Sequence, residues 1–433
     1  MAFPLRRITA NPYVRLVREN HNFRRVWLSQ VISNLGDWFG VLAVYSLIID
    51  YSGSELLLGL IIVIKMMSFA VFSPFAGYIA DRFDRRTVMI LCDFGRGAAV
   101  LTFLLVRSPD LLWLIYVMTA VQMMFASVFL PAKQASIPNI THSEDELVRA
   151  NVLSNLSWSI IFTSGMGLGG LATAAFGTDA VFIINGLGYI LSTIFIFRAT
   201  IPHVQDESTK ESLRRPIKGI LDGYAYIWKT GAVFRPALAK GSMSILLGAL
   251  VYMLILVSDD ILMMGSVGLG MLYAARGAGT AVGPLLLRRY FPDESRWVTY
   301  MGLAMVTAGA CYMMMGLTGS LLIMLLFVFL AHTASGVNWV SSTVLLQQRA
   351  SDRFRGRVFS SEFLLFTVAQ SMSTLTVSLL LEHNIITLET AIRGAAGLLM
   401  LMGLSWLLSV GRAEKRDPET SISAGRNHRP AAL

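Results

Sequence analysis

Stretches of about 20 residues almost free of charge recur along the whole 433-residue chain, and each is long enough to cross a bilayer's hydrocarbon core as a helix. Lipid offers no water to pair exposed backbone groups, so a crossing segment must be a helix or a strand of a closed barrel. No stretch carries the sustained apolar–polar alternation of a barrel strand. The segments therefore read as twelve transmembrane helices, at 26–49, 56–80, 87–106, 111–130, 152–176, 179–197, 236–258, 267–287, 297–316, 320–346, 358–381 and 390–410. Composition points the same way: 55% of residues are hydrophobic and 15% charged, against roughly 25% charged in a soluble domain. A disordered chain, a nucleic-acid binder and an ordinary cytosolic enzyme are excluded. The expected fold class is an all-α membrane protein with the lipid bilayer as its surroundings.

The net charge of +9 could suggest a nucleic-acid partner, but its placement argues for membrane orientation. Thirty-one of the 36 Lys and Arg residues fall at the two ends of the chain and in alternate connections. By the positive-inside rule both termini are cytoplasmic, as in a multi-pass protein of the cell (inner) membrane. The segment Met1 to Arg25 holds six arginines and lacks the apolar core of a cleaved signal peptide, so the first span is expected to act as an uncleaved anchor. Cys92 and Cys311 both sit inside apolar runs, where packing is the expected role.

The longest polar interruption, 198–235, divides the spans six and six. The expected layout is a cytoplasmic segment 1–25, a first six-helix bundle 26–197, a cytoplasmic linker 198–235, a second bundle 236–410 and a tail 411–433. Within the linker, Gln205 to Lys210 has a flexible composition, and Ile217, Ile220, Leu221, Tyr224 and Ile227 recur at helical spacing. They fit a connecting helix along the membrane surface. The halves repeat one another. Gly59 and Lys65 correspond to Gly270 and Arg276, with Pro74 and Pro284 following, and Arg149-Ala150-Asn151-Val152-Leu153-Ser154 corresponds to Arg355-Gly356-Arg357-Val358-Phe359-Ser360. Offsets of 211 and 206 residues support two pseudo-symmetric six-helix bundles with a substrate site midway between them.

After the second span the chain reads Gly77-Tyr78-Ile79-Ala80-Asp81-Arg82-Phe83-Asp84-Arg85-Arg86. This resembles the loop signature Gly-x-x-x-Asp-Arg-x-Gly-Arg-Arg of the major facilitator superfamily, departing from it at Asp84. Gly36-Asp37-Trp38, the stretch Pro131 to Pro138, Gln348-Arg349 and Arg355 to Ser360 resemble the branch of drug:proton antiporters with macrolide-efflux and enterobactin-exporter proteins. Lysophospholipid flippases share a similar Pro-Ala-Lys turn. Gly165-Met166-Gly167-Leu168-Gly169-Gly170 is similar to the antiporter pattern Gly-Pro-x-x-Gly-Gly, with Met166 in place of Pro. The resemblance implies the major facilitator fold and transport by alternating access. It also implies a cytoplasmic gate at Gly77, Asp81, Arg82, Arg85 and Arg86, to which Asp93 and Arg96 add an intrahelical ion pair nearer the cytoplasm.

Two polar stripes run through apolar helices: Gln30, Ser33, Asn34 and Asp37 in the first span, and Thr367, Gln370, Ser371, Thr374 and Ser378 in the eleventh. Such stripes turn away from lipid, towards a water-filled cavity or a neighbouring helix. Gln30, Ser33, Asn34, Thr367, Gln370, Ser371 and Thr374 are the candidate cavity residues, together with the deep Arg276. A carboxylate near mid-membrane costs roughly 2.5–3.5 kcal/mol, which makes Asp37 the candidate proton-coupling group. Lys65 stands at a similar depth and is its expected partner. Glu362 and Arg393 lie near predicted helix ends, where solvated roles are expected, and His332 reads as a packing residue.

No nucleotide-binding, zinc-type or catalytic constellation is present, so neither a cofactor nor an enzyme activity is expected. The reading is a secondary active transporter, working as a monomer, that exports an amphipathic small molecule such as a drug or siderophore in exchange for protons. Translocation of a lysophospholipid, or a non-transporting sensor on the same scaffold, remains open.

Overall fold

The computed structural model describes residues 11–202 and 216–410. They form thirteen α-helices: α1 (Pro12–Glu19), α2 (His21–Ser52), α3 (Glu55–Arg82), α4 (Arg85–Leu101), α5 (Leu112–Ile140), α6 (Glu144–Arg198), α7 (Pro216–Lys229), α8 (Gly231–Leu256), α9 (Gly265–Tyr290), α10 (Trp297–Met315), α11 (Leu321–Arg349), α12 (Asp352–Glu382) and α13 (Leu388–Leu408). No strand occurs among the described residues. Ten helical stretches are long and apolar enough to cross a membrane. One of these is α6, whose 55 residues would extend about 80 Å if straight. Gly177, at φ 77° and ψ 170°, breaks it, a backbone shape that only glycine adopts readily. The two arms of α6 cover the segments expected at 152–176 and 179–197. The segment expected at 267–287 is α9, which is not among the ten.

Side-chain caps fix several helix starts. Asn20 accepts from the Phe23 amide at 2.9 Å and donates to the Ile140 carbonyl at 2.7 Å, joining the start of α2 to the end of α5. Asp84, the departure from the loop signature, is the N-cap of α4: it accepts from the Thr87 amide at 2.8 Å and its hydroxyl at 2.6 Å. The change from Gly thus installs a better capping residue. Ser143 caps α6 through the Glu146 amide at 3.2 Å.

Some boundaries differ from expectation. The turn expected at Pro131-Ala132-Lys133 is helical, because α5 continues through Pro131 and Pro138 to Ile140. Each proline removes one backbone donor, a local cost that packing along a buried helix can outweigh. In the linker, α7 packs its Asp222, Tyr226 and Ile227 face inward. Asp222 binds Arg357 at 3.1 Å, Tyr226 stacks on Phe354 at 4.7 Å and Ile227 is buried. Leu221 is instead exposed, so the expected apolar stripe does not act as one face. The Gln205–Lys210 stretch lies outside the described residues.

By contacts the chain divides into two units, Met1–Gly53 with Ile64–Pro216, and Ser54–Val63 with Ile217–Leu433. In the first, Phe23, Val26, Met89, Cys92, Phe129, Ala132 and Ile196 form a core where α2, α4, α5 and α6 meet. Close approach of α2 and α6 depends on the glycine-rich stretch. A Cβ at Gly169 would lie 2.7 Å from the Phe39 carbonyl oxygen, and one at Gly165 3.0 Å from Trp38 Cβ. Those glycines thereby hold α6 against the segment that carries Asp37. In the second unit, α9 and α11 approach as closely: a Cβ at Gly283 would lie 2.2 Å from the Thr333 carbonyl oxygen.

Candidate functional site

Four helices of the first unit bring their polar residues to one place. Asp37, midway along α2, accepts hydrogen bonds from Arg96 of α4 and from the Tyr189 hydroxyl of α6. The Gln122 amide of α5 donates to it at 3.2 Å, and also to the Tyr189 oxygen at 3.2 Å. Arg96 turns its other terminal nitrogen to Asp93, one helical turn away, at 3.1 Å. Asp93 accepts a further bond from Ser192 of α6. The Arg96 guanidinium lies over the Tyr189 ring at 4.5 Å and near the Phe129 ring at 5.5 Å.

Exposure separates the members. The side chains of Asp93 and Arg96 are 0% and 4% exposed, whereas that of Asp37 is 20% exposed. Asp37 is therefore the member of the network through which a proton or a ligand has access. Asp93, Arg96 and Ser192 form the buried base that holds it. Two carboxylates sharing one guanidinium leave a net charge of −1, which the Lys65 ammonium offsets.

Lys65 reaches that neighbourhood by another route than expected. It forms no ion pair with Asp37; its ammonium lies 5.6 Å from the Trp38 ring centroid, a cation–π distance. Trp38 packs edge-on to Phe162 at 4.6 Å, and Phe162 stacks on Trp158 at 5.5 Å, giving an aromatic wall beside the acid. The short carboxylate of Asp37 is met by the longer, forked guanidinium of Arg96, which satisfies both acids at once. Asp93 and Arg96, expected at a cytoplasmic gate, thus belong to the Asp37 network. An intrahelical pair was foreseen, but its extension across to α2 was not.

The other candidates are distributed more widely. Gln30 is buried and donates to the Ser154 carbonyl at 3.3 Å. Ser33 is buried and turns its hydroxyl to the Gln30 carbonyl of its own helix at 3.4 Å, and Asn34 is half-buried. In the second unit, Gln370 packs on α8, since a Cβ at Gly248 would lie 2.3 Å from Gln370 Cγ. Thr367, Ser371 and Thr374 are buried, with hydroxyls that find no partner among the described residues. Arg276 lies over the Tyr273 ring at 5.2 Å, and nearby His332 is satisfied by the Tyr312 hydroxyl at 2.8 Å. In the basic loop, Arg85 donates to the Ala135 carbonyl at 2.9 Å. Arg86 binds the Phe197 carbonyl in the last turn of α6, where a cation is favoured by the helix dipole. Arg82 lies 5.8 Å from the Phe83 ring. Gly77 and Asp81 fall on α3, but their side chains lie outside the described residues.

Several residues were missed. Gln122 could have been flagged as a polar residue inside an apolar span; Tyr189, one of 13 tyrosines, carries no such signal. Lys240, read as part of the basic linker, is buried in α8. Glu362, read as solvated near a helix end, is buried opposite it, because α12 starts at Asp352 and so carries Glu362 well inside.

Comparison with known proteins places this architecture. The family model for the Major Facilitator Superfamily matches residues 26–374. The chain belongs to the major facilitator superfamily. Among its relatives in that superfamily is the uncharacterized MFS-type transporter YfiS of Bacillus subtilis (strain 168), 30% identical over 427 residues, covering 93% of this chain and 96% of the relative. Macrolide efflux protein A of Streptococcus pyogenes is 24% identical over 362 residues, covering 78% and 84%. The fold matches that of a peptide transporter solved in complex with alafosfalin, with a TM-score of 0.72 at 12% identity, over 91% of this chain and 95% of that one. The superfamily is one of transporters, so the chain is a multi-pass membrane transporter and not an enzyme, and its efflux relatives fit the drug-efflux resemblance of the sequence.

Proposed function

We propose that the chain is a proton-driven exporter of an amphipathic small molecule, in which Asp37 takes up and releases the coupling proton. The observation that carries this reading is the contrast inside one network: Asp37 is accessible, while Asp93 and Arg96 beneath it are sealed. A proton on Asp37 weakens its hold on Arg96, Tyr189 and Gln122 together, and so loosens α2 against α4, α5 and α6. Displacement of the proton by a substrate restores those bonds. The wall of Trp38, Phe162 and Trp158 beside the Lys65 ammonium suits a molecule with an apolar body and a polar group. The efflux relative supports export, and the basic ends support cytoplasmic termini in the inner membrane. A single chain carries both repeated halves, which supports action as a monomer.

The test is transport in proteoliposomes of the full chain, with a macrolide and a panel of amphipathic dyes, with and without a pH gradient. Asp37→Asn is expected to abolish uphill transport while leaving downhill exchange within about twofold of wild type. Gradient-driven accumulation by this variant at the wild-type rate would overturn the assignment. Absence of flux for every compound with the wild-type chain would favour the sensor reading.

A further inference from the structure

The second unit holds a buried ion pair at a place where the first unit holds none. Lys240 Nζ of α8 lies 3.1 Å from Glu362 Oε1 of α12, with side chains only 8% and 5% exposed. The ammonium also sits 3.8 Å from the ring centroid of Trp339 on α11, and Trp339 is itself 41% exposed. Ser342 Oγ of α11 lies 3.3 Å from Glu362 Oε1 and 3.0 Å from the Pro236 carbonyl oxygen.

The internal repeat gives this pair a control. Gln30 precedes Lys240 by 210 residues and Ser154 precedes Glu362 by 208, within the offsets of the sequence repeat. In the first unit the two helices are joined there by a neutral bond, the Gln30 amide donating to the Ser154 carbonyl. The scaffold therefore closes this helix pair without charge. Burying two ions costs several kcal/mol each in desolvation, which their attraction offsets only partly. A pair kept at that cost, where a neutral contact suffices in the sister unit, points to a use other than holding helices together.

The local geometry serves a carboxyl group in either protonation state. Ser342 has one hydroxyl hydrogen and can donate it to Glu362 or to Pro236, not to both. When Pro236 takes it, the Ser342 oxygen faces Glu362 Oε1 as an acceptor. A proton arriving on Glu362 then converts the carboxylate into a donor to Ser342 Oγ, and Lys240 keeps its place over the Trp339 face. Facing Glu362 are Lys240 from α8 and the Ser342 hydroxyl from α11, which brings no titratable group. From α7, packed beside Ser361, Asp222 is engaged by Arg357. We propose that Glu362 is a second proton-binding site, held by Lys240 and Ser342 and separate from Asp37. It adds to the proton-driven reading but does not depend on which compound is carried.

Infrared difference spectroscopy of the purified full chain in lipid, stepped from neutral to acidic pH, reads the site without transport. A protonated-carboxyl stretch that shifts in heavy water is expected to appear on acidification in wild type and in Asp37→Asn. It is expected to be absent in Glu362→Gln. The double variant Lys240→Gln with Glu362→Ser, which copies the first unit, should lack the band and melt no lower than wild type. A band unchanged in Glu362→Gln would overturn the proposal. So would a double variant that melts well below wild type or fails to fold, since the pair would then be a structural staple. Loss of coupling at Asp37 with the band retained separates the two assignments.

Discussion

Replacing Arg96 with Met tests whether the Asp37 network rests on one shared cation. The substitution keeps an unbranched side chain of partial length but removes the guanidinium between Asp93 and Asp37. At the 3.1 Å separation from Asp93, the gross attraction is about 5 kcal/mol for an effective dielectric of about 20. Part of that is returned because Arg96 no longer has to be desolvated. What remains is the cost of a buried carboxylate without its counter-charge, and breaking such a pair costs about 3–5 kcal/mol. The Asp93 side chain is fully buried and Asp37 is not, so most of the penalty belongs to Asp93. Adding Asp93→Asn to the Arg96→Met background should then recover about half of the loss, whereas adding Asp37→Asn should recover less. The assay is the melting temperature in detergent at neutral pH, read by fluorescence-detected size exclusion. A variant Arg96→Met as stable as wild type would refute the reasoning. So would rescue by Asp37→Asn greater than that by Asp93→Asn.

Two further outcomes are expected. Asp84→Ala removes the cap of α4 and should cost about 1 kcal/mol, whereas Asp84→Gly should cost only a few tenths; equal melting of the two variants would deny Asp84 a capping role. Single cysteines at Ser208 and Arg426, both outside the described residues, should be blocked only from the cytoplasmic side in a background lacking Cys92 and Cys311. Labelling of either by an impermeant reagent in intact cells would reverse the orientation drawn from the positive residues.

The membrane-crossing helices and the transporter family were legible in the residues alone. Lipid permits few solutions: an uncharged run of that length must satisfy its backbone within itself, so hydropathy largely dictates the element. Short signatures such as the one from Gly77 to Arg86 stay readable because their residues are neighbours in sequence. The depth of Asp37 was equally legible, since depth along a helix is a count of residues. What tertiary structure decided is which side chain meets which. Lys65 and Arg96 are both cations at depths within reach of Asp37. The rotation of α4, and the close approach that Gly165 and Gly169 allow between α2 and α6, set the Arg96 fork between the two acids and left Lys65 over Trp38. Lys240 and Glu362 stand 122 residues apart and looked like a linker charge and a helix-end charge. Only the true starts of α8 and α12 carry them inside and opposite one another. Hydropathy is a property of each segment taken singly, whereas partners depend on the relative rotation of packed helices, and that is set by contacts distributed over the whole bundle.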